Sequence, residues 1–355
     1  MEVSASGSND LQSLWKNILN QKSGICLCEG FLPERKAAIG KLNDPFEQLL
    51  LSCVKKIVDK SKKEPKEIAL FIGSSVGGMQ NTEKKLKSGC SYNDINPDFH
   101  TIGTIKNLIL PHYQFKKTYA FSTACTSGAN ALGFAYECIT KGIYSDILVI
   151  GADAISLTTV NGFDALGVLS ASTCKPFCAK STGMNVGEGI GALLISNAKT
   201  QDCVEFLGVG YSSDAYHMTH PKPDGGGAKI AMQNALNVAK VPQLDYINAH
   251  GTGTKANDNA EAAAVSSLFG SSPHMSSTKN ITGHTLGAAG AIEAAIACKA
   301  ILENTVPPNG IIEEPLEHNC KIAQSSPIKK EIKYAMSNSF AFGGNNVSLV
   351  FGKSV

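Results

Sequence analysis

One cysteine of the sequence occupies a position that favours a reactive thiol. Cys125 lies in the segment FSTACTSGANALGFAYEC, directly after a short β-type run and directly before a helix pattern rich in small residues. The positive end of a helix dipole and nearby backbone N–H groups both favour a thiolate at such a position. The small neighbours Ser127, Gly128 and Ala129 leave room for a thioester to approach. The pattern indicates a nucleophile, and an inert buried cysteine is the alternative that this residue alone leaves open.

Two histidines lie in glycine-flanked turns, which is where α/β folds place functional groups. His250 follows a strand pattern in NAHGTGTKANDNAE, and His284 precedes a helix pattern in STKNITGHTLGAAGA. A neutral imidazole donates an N–H hydrogen bond to a carbonyl oxygen that becomes an enolate oxygen, and so stabilises the developing negative charge. A hydrogen-bonded structural role is the alternative for either ring taken alone. The remaining histidines are interpreted as structural or surface residues: His100, His112, His217, His220, His274 and His318.

A third segment, NSFAFGGNNVSLVF, places Phe340, Phe342, Gly343 and Gly344 in a turn between two strand patterns. Glycines permit positive φ angles and a close approach of the backbone, so this turn can aim an N–H group at a substrate oxygen. An ordinary hairpin is the alternative.

The elements that must position these residues alternate between strand and helix, which indicates an α/β layered fold. Apolar runs predict strands at Ile68–Ile72, Ile147–Ile150, Ala192–Ile195, Val204–Val209, Tyr246–Ala249, Ile332–Met336 and Val347–Phe351. Helical patterns cover Leu11–Asn20, Asp44–Ser61, Ser127–Thr140, Gly226–Ala239, Asn259–Leu268 and Gly287–Leu302. The polar stretch Ser196–Asp202 predicts a boundary between residues 1–197, which hold the cysteine, and residues 198–355, which hold the two histidines. A strand followed by a reactive turn occurs in each part, which suggests two similar halves.

Composition argues against several classes of function. The chain has 355 residues with a formal net charge of +2, and Arg35 is its single arginine, so nucleic acid binding is not favoured. The sequence contains no apolar run of roughly 18 residues and no signal-peptide pattern, so we expect a cytoplasmic protein without a membrane segment. Eleven cysteines without a secretion signal indicate reduced thiols rather than a disulfide framework.

Two weaker motifs do not support a cofactor or a metal. The segment GEGIG at Gly187–Gly191 precedes a strand pattern rather than opening a helix, so a dinucleotide phosphate would meet no helix N-terminus. Cys26-x-Cys28 and Cys174-x3-Cys178 have no further pair at a spacing that would complete a zinc site. We therefore predict neither kind of group.

The motifs together carry a family resemblance. TACTSGA, NAHGTGT, STKNITGHTLGAAGA and NSFAFGGNN, in this order and at these spacings, resemble the elongating β-ketoacyl-acyl-carrier-protein synthases of the thiolase superfamily. SSDAYHMT and GSSVGGM strengthen the match, which covers nearly the whole chain. MNVGEG, HGTGTKANDNAE and FAFGGNN are most similar to the ketosynthases of bacterial aryl-polyene and related polyene clusters.

The resemblance implies a thiolase-like α/β fold of two pseudo-symmetric halves, in a layered α-β-α-β-α arrangement around a central helix pair. It implies decarboxylative condensation of an acyl group with a malonyl group, both delivered by acyl carrier protein, in fatty acid or polyketide chain elongation. It also implies a dimer, either a homodimer or a heterodimer with a chain-length factor.

The resemblance further implies a role for each site residue. Cys125 matches the nucleophile, and His250 and His284 match the pair that binds the malonyl thioester carbonyl. The N–H groups of Cys125 and Phe342 match the oxyanion hole, and Phe342 matches the gate beside it. The remaining matches are a buried ion pair of Lys279 with Glu261, phosphopantetheine contacts at Thr252 and Thr254, and a substrate-binding turn of Phe340, Gly343 and Gly344.

Several residues depart from the family pattern without removing a catalytic group. The first strand is short, Lys255 stands where proline is common, and Asn345 stands where threonine is common. The alternatives are a thiolase or a chain-length-factor-like subunit without catalytic activity. A thiolase would carry a second cysteine where Phe342 stands, and chain-length factors lack the nucleophile that Cys125 matches. An initiating synthase would be expected to offer asparagine in place of His284.

Overall fold

The protein, described by a computed structural model over residues 1–199, 203–310 and 312–354, has a mixed α/β fold. The strands are β1 Glu2–Ala5, β2 Ile25–Cys28, β3 Ala37–Gly40, β4 Ala69–Gly73, β5 Thr118–Phe121, β6 Asp146–Asp153, β7 Gly189–Ser196, β8 Val204–Ser213, β9 Tyr246–Asn248, β10 His274–Ser276, β11 Thr305–Val306, β12 Lys321–Ile322, β13 Ile328–Lys329, β14 Tyr334–Phe340 and β15 Asn345–Lys353. The α-helices are α1 Leu11–Leu19, α2 Phe46–Ser61, α3 Met79–Lys87, α4 Gly103–Ile109, α5 Ser127–Thr140, α6 Leu157–Ala165, α7 Gly226–Ala239, α8 Lys255–Phe269, α9 Lys279–Thr282 and α10 Ala289–Glu303.

Two sheets hold most of the strands. The first has the order β1-β7-β6-β4-β5, and the second has the order β12-β10-β9-β14-β15-β8. In the first sheet β4 runs parallel to both β5 and β6, whereas β7 is antiparallel to β6 and to β1. All eight residues of β6 are buried, because this strand is covered on both faces.

The helices α5 and α10 lie between the two sheets and contact strands of both. Glycines allow the two helices to pack closely: a Cβ atom at Gly290 would lie 2.5 Å from the backbone nitrogen of Ala129. One hydrophobic core joins Val149 of the first sheet to Leu349 of the second through α10. Helix α2 covers the outer face of the first sheet, and α7 packs on β8 and β15 of the second. The predicted layered fold around a central helix pair is therefore confirmed.

Most of the predicted elements are present with shifted ends. Helices α5 and α7 have the predicted bounds, α8 begins at Lys255 rather than Asn259, and β14 covers Tyr334–Phe340 rather than Ile332–Met336. The sequence patterns missed β2, β3, β10, α3, α4 and α6. The three strands have only three or four residues each, and the three helices bury at most three residues each, so none of them shows a clear period. The first strand is indeed short, and its four residues pair with β7.

The strands of the first sheet lie within residues 2–196, and those of the second lie within residues 204–353. Residues 200–202 of the expected boundary stretch lie outside the described residues. The division of the chain at 197 and 198 stays a prediction. Within the described part of the chain, no helix combines the length and the apolar character that crossing a membrane requires.

Candidate active site

The turn between β5 and α5 presents Cys125. Ala124, which precedes it, has a φ of 52°, a left-handed conformation that non-glycine residues rarely adopt. The Ser127 hydroxyl holds this turn, because it donates to the carbonyl of Ala124 at 2.7 Å and accepts from the N–H of Thr123 at 3.0 Å. A strained turn that is held by hydrogen bonds at a strand–helix junction is typical of a functional site.

The environment of the Cys125 thiol differs in one respect from the sequence expectation. The backbone N–H groups of Cys125 and Phe342 and the Lys279 cation lie close enough to the sulfur to lower the pKa of the thiol. Burial outweighs these effects and raises the pKa of the Cys125 thiol to about 12. The helix N-terminus and the N–H groups are present as expected, but the expected thiolate is not the resting form, because burial disfavours the charged form of the thiol.

Glu261 positions the turn that carries His250. Its carboxylate accepts the N–H of His250 at 2.9 Å, the N–H of Gly251 at 2.8 Å and the side-chain amide of Asn338 at 3.1 Å. Burial raises the pKa of Glu261 to about 7 against these hydrogen bonds. Glu261 therefore fixes the backbone at the end of β9 rather than pairing with a cation.

The turn that carries His284 is anchored to the opposite half of the chain. Its N–H donates to the carbonyl of Asn185 at 2.7 Å, and its carbonyl accepts the N–H of Gly187 at 2.9 Å. Asp153 at the end of β6 fixes the next residues, because it accepts the N–H of Gly287 at 2.7 Å together with the hydroxyls of Ser74 and Ser75 at 2.6 Å each.

The two imidazole rings face each other in the interior. The centroids of His250 and His284 are 5.2 Å apart, and the planes of the rings are nearly perpendicular at 85°. Burial and the nearby Lys279 cation lower the pKa of both rings well below 6.5, so each ring is neutral at pH 7. Neither Nδ1 atom has a hydrogen-bond partner among the described residues. This argues against the structural alternative, in which the rings would be hydrogen-bonded to the protein.

The ion pair of Lys279 is the main correction to the predicted site. The structure pairs the Lys279 ammonium with Glu293 of α10, not with Glu261, and both side chains are almost fully buried, with exposures of 1% and 4%. Lys279 also donates to the carbonyl of His250 at 2.5 Å. Burial raises the pKa of Glu293 to about 7, and the lysine opposes this shift. Glu261 lies on α8, and its two carboxylate oxygens accept backbone N–H groups instead of pairing with the lysine ammonium.

The turn between β14 and β15 has the predicted glycine conformation. Gly343 and Gly344 have φ angles of 82° and 78°, and a Cβ atom at Gly344 would lie 1.7 Å from the carbonyl oxygen of Asp214. Asn345, the residue where threonine is common, accepts hydrogen bonds from the Thr126 hydroxyl at 2.7 Å and the Asn130 amide at 2.9 Å. It thereby ties this turn to the nucleophile turn, and brings the N–H of Phe342 to the Cys125 sulfur.

A cavity of about 560 Å³ brings most of the predicted site residues together. Its lining includes Cys125, His250, His284, Thr252, Thr254, Phe340, Phe342 and Gly344. Phe342 is 37% exposed and lies 6.0 Å from the Phe163 ring between centroids, which places it where the cavity opens to solvent. The hydroxyls of Thr252 and Thr254 lie 2.8 Å apart and form one polar patch of the wall.

Two histidines interpreted as structural or surface residues also line this cavity. His217 and His220 are exposed, and their Nδ1 atoms lie 3.2 Å apart. The sequence also did not reveal Asn185, Asp153 and Glu293 as supporting residues. For Glu293 a signal exists, because it is the one acidic residue in the apolar run AGAIEAAIACKAI.

The arrangement suits acyl transfer followed by stabilisation of an enolate. A thiol, two converging N–H groups and two neutral imidazoles surround one cavity. The described residues contain no group of three or more histidine, cysteine, aspartate or glutamate side chains placed to hold a metal ion. The GEGIG segment leads into β7, so its glycines meet a strand.

Comparison with known proteins identifies two family matches and several similar chains. Residues 38–201 match the family described as beta-ketoacyl synthase, N-terminal domain, and residues 203–313 match beta-ketoacyl synthase, C-terminal domain. The 3-oxoacyl-[acyl-carrier-protein] synthase 2 of Vibrio harveyi is 31% identical, over 97% of this chain and 95% of that protein.

The chain is also similar to solved structures of ketosynthases. The ketosynthase ApeO in complex with its chain length factor ApeC, from Xenorhabdus doucetiae, superimposes with a TM-score of 0.90 at 29% identity, over 99% of this chain and 96% of that one. A type II polyketide ketosynthase bound to a hexaketide and in complex with its acyl-carrier protein gives a TM-score of 0.90 at 25% identity, over 99% and 97% of the two chains.

Proposed function

Because the chain belongs to the β-ketoacyl synthase family, we propose that it condenses a carrier-bound acyl group with malonyl-acyl carrier protein and releases carbon dioxide. The observation that carries this proposal is the single cavity that Cys125 shares with His250 and His284. The catalytic residues are Cys125 and the two histidines, and the N–H groups of Cys125 and Phe342 form the oxyanion hole.

In the first half-reaction the Cys125 sulfur attacks the acyl thioester carbon. The proton of the thiol leaves with the carrier thiolate, so that the acyl–sulfur bond to Cys125 replaces the bond to the carrier. The carbonyl oxygen takes negative charge in the tetrahedral intermediate, and the two N–H groups donate hydrogen bonds to it. These N–H groups already lie close enough to the sulfur in the free protein to lower the pKa of the thiol.

In the second half-reaction malonyl-carrier thioester loses carbon dioxide, and its electron pair passes into an enolate. Neutral His250 and His284 donate hydrogen bonds to the enolate oxygen. The enolate carbon then attacks the acyl carbon on Cys125, and the carbon–sulfur bond breaks to give the β-ketoacyl carrier and the free thiolate. Rings with a low pKa suit this role, because they carry their proton as neutral donors at pH 7.

Further residues support the site from behind the cavity or from within its wall. Glu293 holds the Lys279 cation next to the histidines, whereas Glu261 fixes the His250 turn. Thr252 and Thr254 line the cavity beside one another and are suited to contact the amide groups of the phosphopantetheine arm. Phe340 packs against His250 with ring centroids 6.0 Å apart, and Gly343 and Gly344 give the Phe342 turn its shape.

The site argues against the two alternatives. A chain-length-factor-like subunit needs no strained nucleophile turn, yet Ala124 adopts one in front of Cys125. A thiolase would require a second thiol where Phe342 stands. Intact-mass analysis after incubation with acyl-carrier proteins of varied chain length tests the proposal. We expect an added acyl mass on Cys125, and a chain that never gains this mass contradicts the assignment.

The finer proposal is that the substrate is a polyene-type acyl chain. It rests on the segments MNVGEG, HGTGTKANDNAE and FAFGGNN, together with the likeness to a ketosynthase solved with its chain length factor. In the same mass assay, we expect faster loading of polyunsaturated than of saturated acyl groups of equal length. Equal rates would favour a role in ordinary fatty acid elongation.

The edge strand β5 supports association with a second subunit. It ends the first sheet, and its residue Tyr119 is 40% exposed and packs on Phe71, as does Phe134 of α5, which is 41% exposed. An exposed edge strand with neighbouring aromatic side chains is a typical pairing surface. The partner is a second copy of this chain or a chain-length factor. Light scattering of the active protein at micromolar concentration should give a dimer, and a fully active monomer contradicts both forms.

A further inference from the structure

The hairpin of β2 and β3 carries two cysteines that the proposed reaction does not use. Cys26 and Cys28 both lie on β2, and their Sγ atoms are 3.4 Å apart. Residues two apart on a strand point to the same face, so the contact follows from the strand itself. Cys26 is exposed and Cys28 is half-buried, which leaves the pair accessible to small molecules.

The spacing permits a disulfide, although a strained one. Alternate Cα atoms of a strand lie about 6.6 Å apart, near the upper end of the roughly 4.4–6.8 Å range of disulfides. Strained and exposed disulfides are readily reduced, so this one would form and break reversibly. A metal site fits less well, because two sulfurs need further ligands and the described residues hold no suitable group of three or more.

We propose that Cys26 and Cys28 form a redox-active dithiol, which a hydroperoxide oxidises to a disulfide that lowers the activity of the Cys125 site. The Cys26 sulfur attacks the peroxide, the O–O bond breaks, and a sulfenic acid forms as water or an alcohol leaves. The Cys28 sulfur then attacks Cys26, the S–S bond forms, and water leaves. Two electrons pass from the two thiols to the peroxide bond, so the atoms and electrons of the reaction balance.

The titration of the pair is consistent with this chemistry. Burial and a hydrogen bond to Cys26 raise the pKa of the Cys28 thiol to about 11. Cys28 therefore keeps its proton at neutral pH, and its sulfur attacks the oxidised Cys26 as that proton leaves. By contrast, burial raises the pKa of the Cys125 thiol to about 12, so this thiol competes poorly for a peroxide.

The hairpin is linked to His284 through one asparagine. Leu27, between the two cysteines, pairs with Ala38 of β3. The carbonyl of Ala38 accepts the side-chain amide of Asn185 at 3.0 Å, and the carbonyl of Asn185 accepts the N–H of His284 at 2.7 Å. A disulfide shortens the distance between the two Sγ atoms from 3.4 Å to about 2.05 Å. This bends β2 at Leu27, and the hydrogen bonds from Ala38 through Asn185 pass the displacement on to His284.

This effect on activity rests on the proposed function, whereas formation of the disulfide does not. The rate of a reaction falls steeply as a catalytic group moves out of position. Because His284 is displaced, we expect the oxidised protein to release carbon dioxide about tenfold more slowly. The matched control is the double variant Cys26→Ser, Cys28→Ala, which keeps Cys125 and every residue of the cavity.

The test combines peptide mass with activity after treatment with hydrogen peroxide. Trypsin cuts after Lys22 and Arg35, and the peptide between them contains Cys26 and Cys28 as its cysteines. We expect this peptide to lose two hydrogens on oxidation and to regain them with dithiothreitol. The wild type should lose and regain its decarboxylation rate in parallel, and the double variant should keep its rate.

Three results would overturn the inference. They are a peptide that gains only oxygen, an oxidised wild type with an unchanged rate, or a double variant that loses the same activity reversibly. Failure of the proposed function is distinguishable, because reduced wild type would then release no carbon dioxide while the peptide still reports on the dithiol.

Discussion

The ammonium of Lys279 joins the carboxylate of Glu293 to the backbone carbonyl of His250. The pair links the central helix α10 to the turn behind the catalytic histidine, and both side chains are almost fully buried. The same cation lowers the pKa of His250, His284 and Cys125. Burial is the larger cause of the low pKa of both rings, and this buried charge adds to it, whereas at Cys125 the charge opposes the larger effect of burial.

The free energy of unfolding should depend on the ion pair of Lys279 with Glu293. Lys279→Met leaves the Glu293 carboxylate without its cation, and removal of one partner of a buried pair costs about 3–5 kcal/mol. The double variant Lys279→Met, Glu293→Leu should recover part of the loss, because no uncompensated charge remains. Urea unfolding of the two single variants and the double variant measures the coupling.

Glu261→Gln is the matched control for that cycle. Combined with Lys279→Met it should give additive losses, because Glu261 bonds to backbone N–H groups rather than to the lysine. Strong coupling of Lys279 with Glu261, and none with Glu293, would contradict the observed pairing.

The nucleophile should tolerate replacement by alanine as far as folding is concerned. Cys125→Ala removes acyl loading and condensation, whereas a small residue suits the start of α5. Cys125→Gln should retain malonyl decarboxylation, since the amide imitates an acylated thiol. Mass spectrometry and carbon dioxide release measure the two activities, and normal condensation by the alanine variant refutes the assignment.

The reactivity of Cys125 towards a small alkylating agent should rise steeply with pH. Burial raises the pKa of its thiol to about 12, so the thiolate fraction grows about tenfold per pH unit between pH 7 and pH 9. The rate of alkylation by iodoacetamide, followed by the mass of the peptide that contains Cys125, measures this dependence. A plateau below pH 8 would indicate that the thiolate is the resting form.

His284 should make the protein less stable at acidic pH. Its folded pKa lies well below 6.5, so below about pH 6.5 the unfolded chain binds a proton that the folded protein does not. The stability contribution is present above pH 6.5 and is lost as pH falls, by up to about 1.4 kcal/mol per pH unit. Glu261 and Glu293 act in the opposite sense, because their raised pKa values make the folded state bind protons more tightly.

Subtracting the pH profile of a His284→Asn variant isolates the histidine from those carboxylates. The difference in the free energy of unfolding between wild type and variant should be constant above pH 7 and should decline below pH 6.5. A difference that is flat down to pH 5 would mean that the ring titrates normally in the folded protein.

The sequence predicted those parts of the fold that have a strong local period. Helix α5 was found with its predicted bounds, because small and apolar residues dominate it from Ser127 to Thr140. The hairpin of β2 and β3 was missed, since the burial of β2 does not alternate: Cys26 and Leu27 are exposed, and Ile25 and Cys28 are half-buried. Local patterns reveal an element where it has a long apolar run or a regular alternation, and β2 has neither.

The catalytic turns could be located from sequence, but their partners could not. Cys125, His250 and His284 each lie in a turn of characteristic composition, and the fold brings them to one cavity. The partner of Lys279 depends on which helix lies between the sheets, which is a tertiary property. The pKa of Cys125 likewise depends on burial, which the helix start alone does not reveal.

The paired-histidine mechanism is tested most directly by measuring two half-reactions on the same variants. His250→Ala and His284→Ala each remove one donor to the enolate, so release of carbon dioxide from malonyl-carrier protein should fall by about 10²–10³-fold. Acyl loading of Cys125, measured by intact mass, should fall much less, because it depends on the thiolate and on the N–H groups of Cys125 and Phe342. The variants must melt at the wild-type temperature for the comparison to hold. Acylated but non-condensing variants are the predicted result, whereas an equal loss in both assays, or decarboxylation at the wild-type rate, would contradict the mechanism.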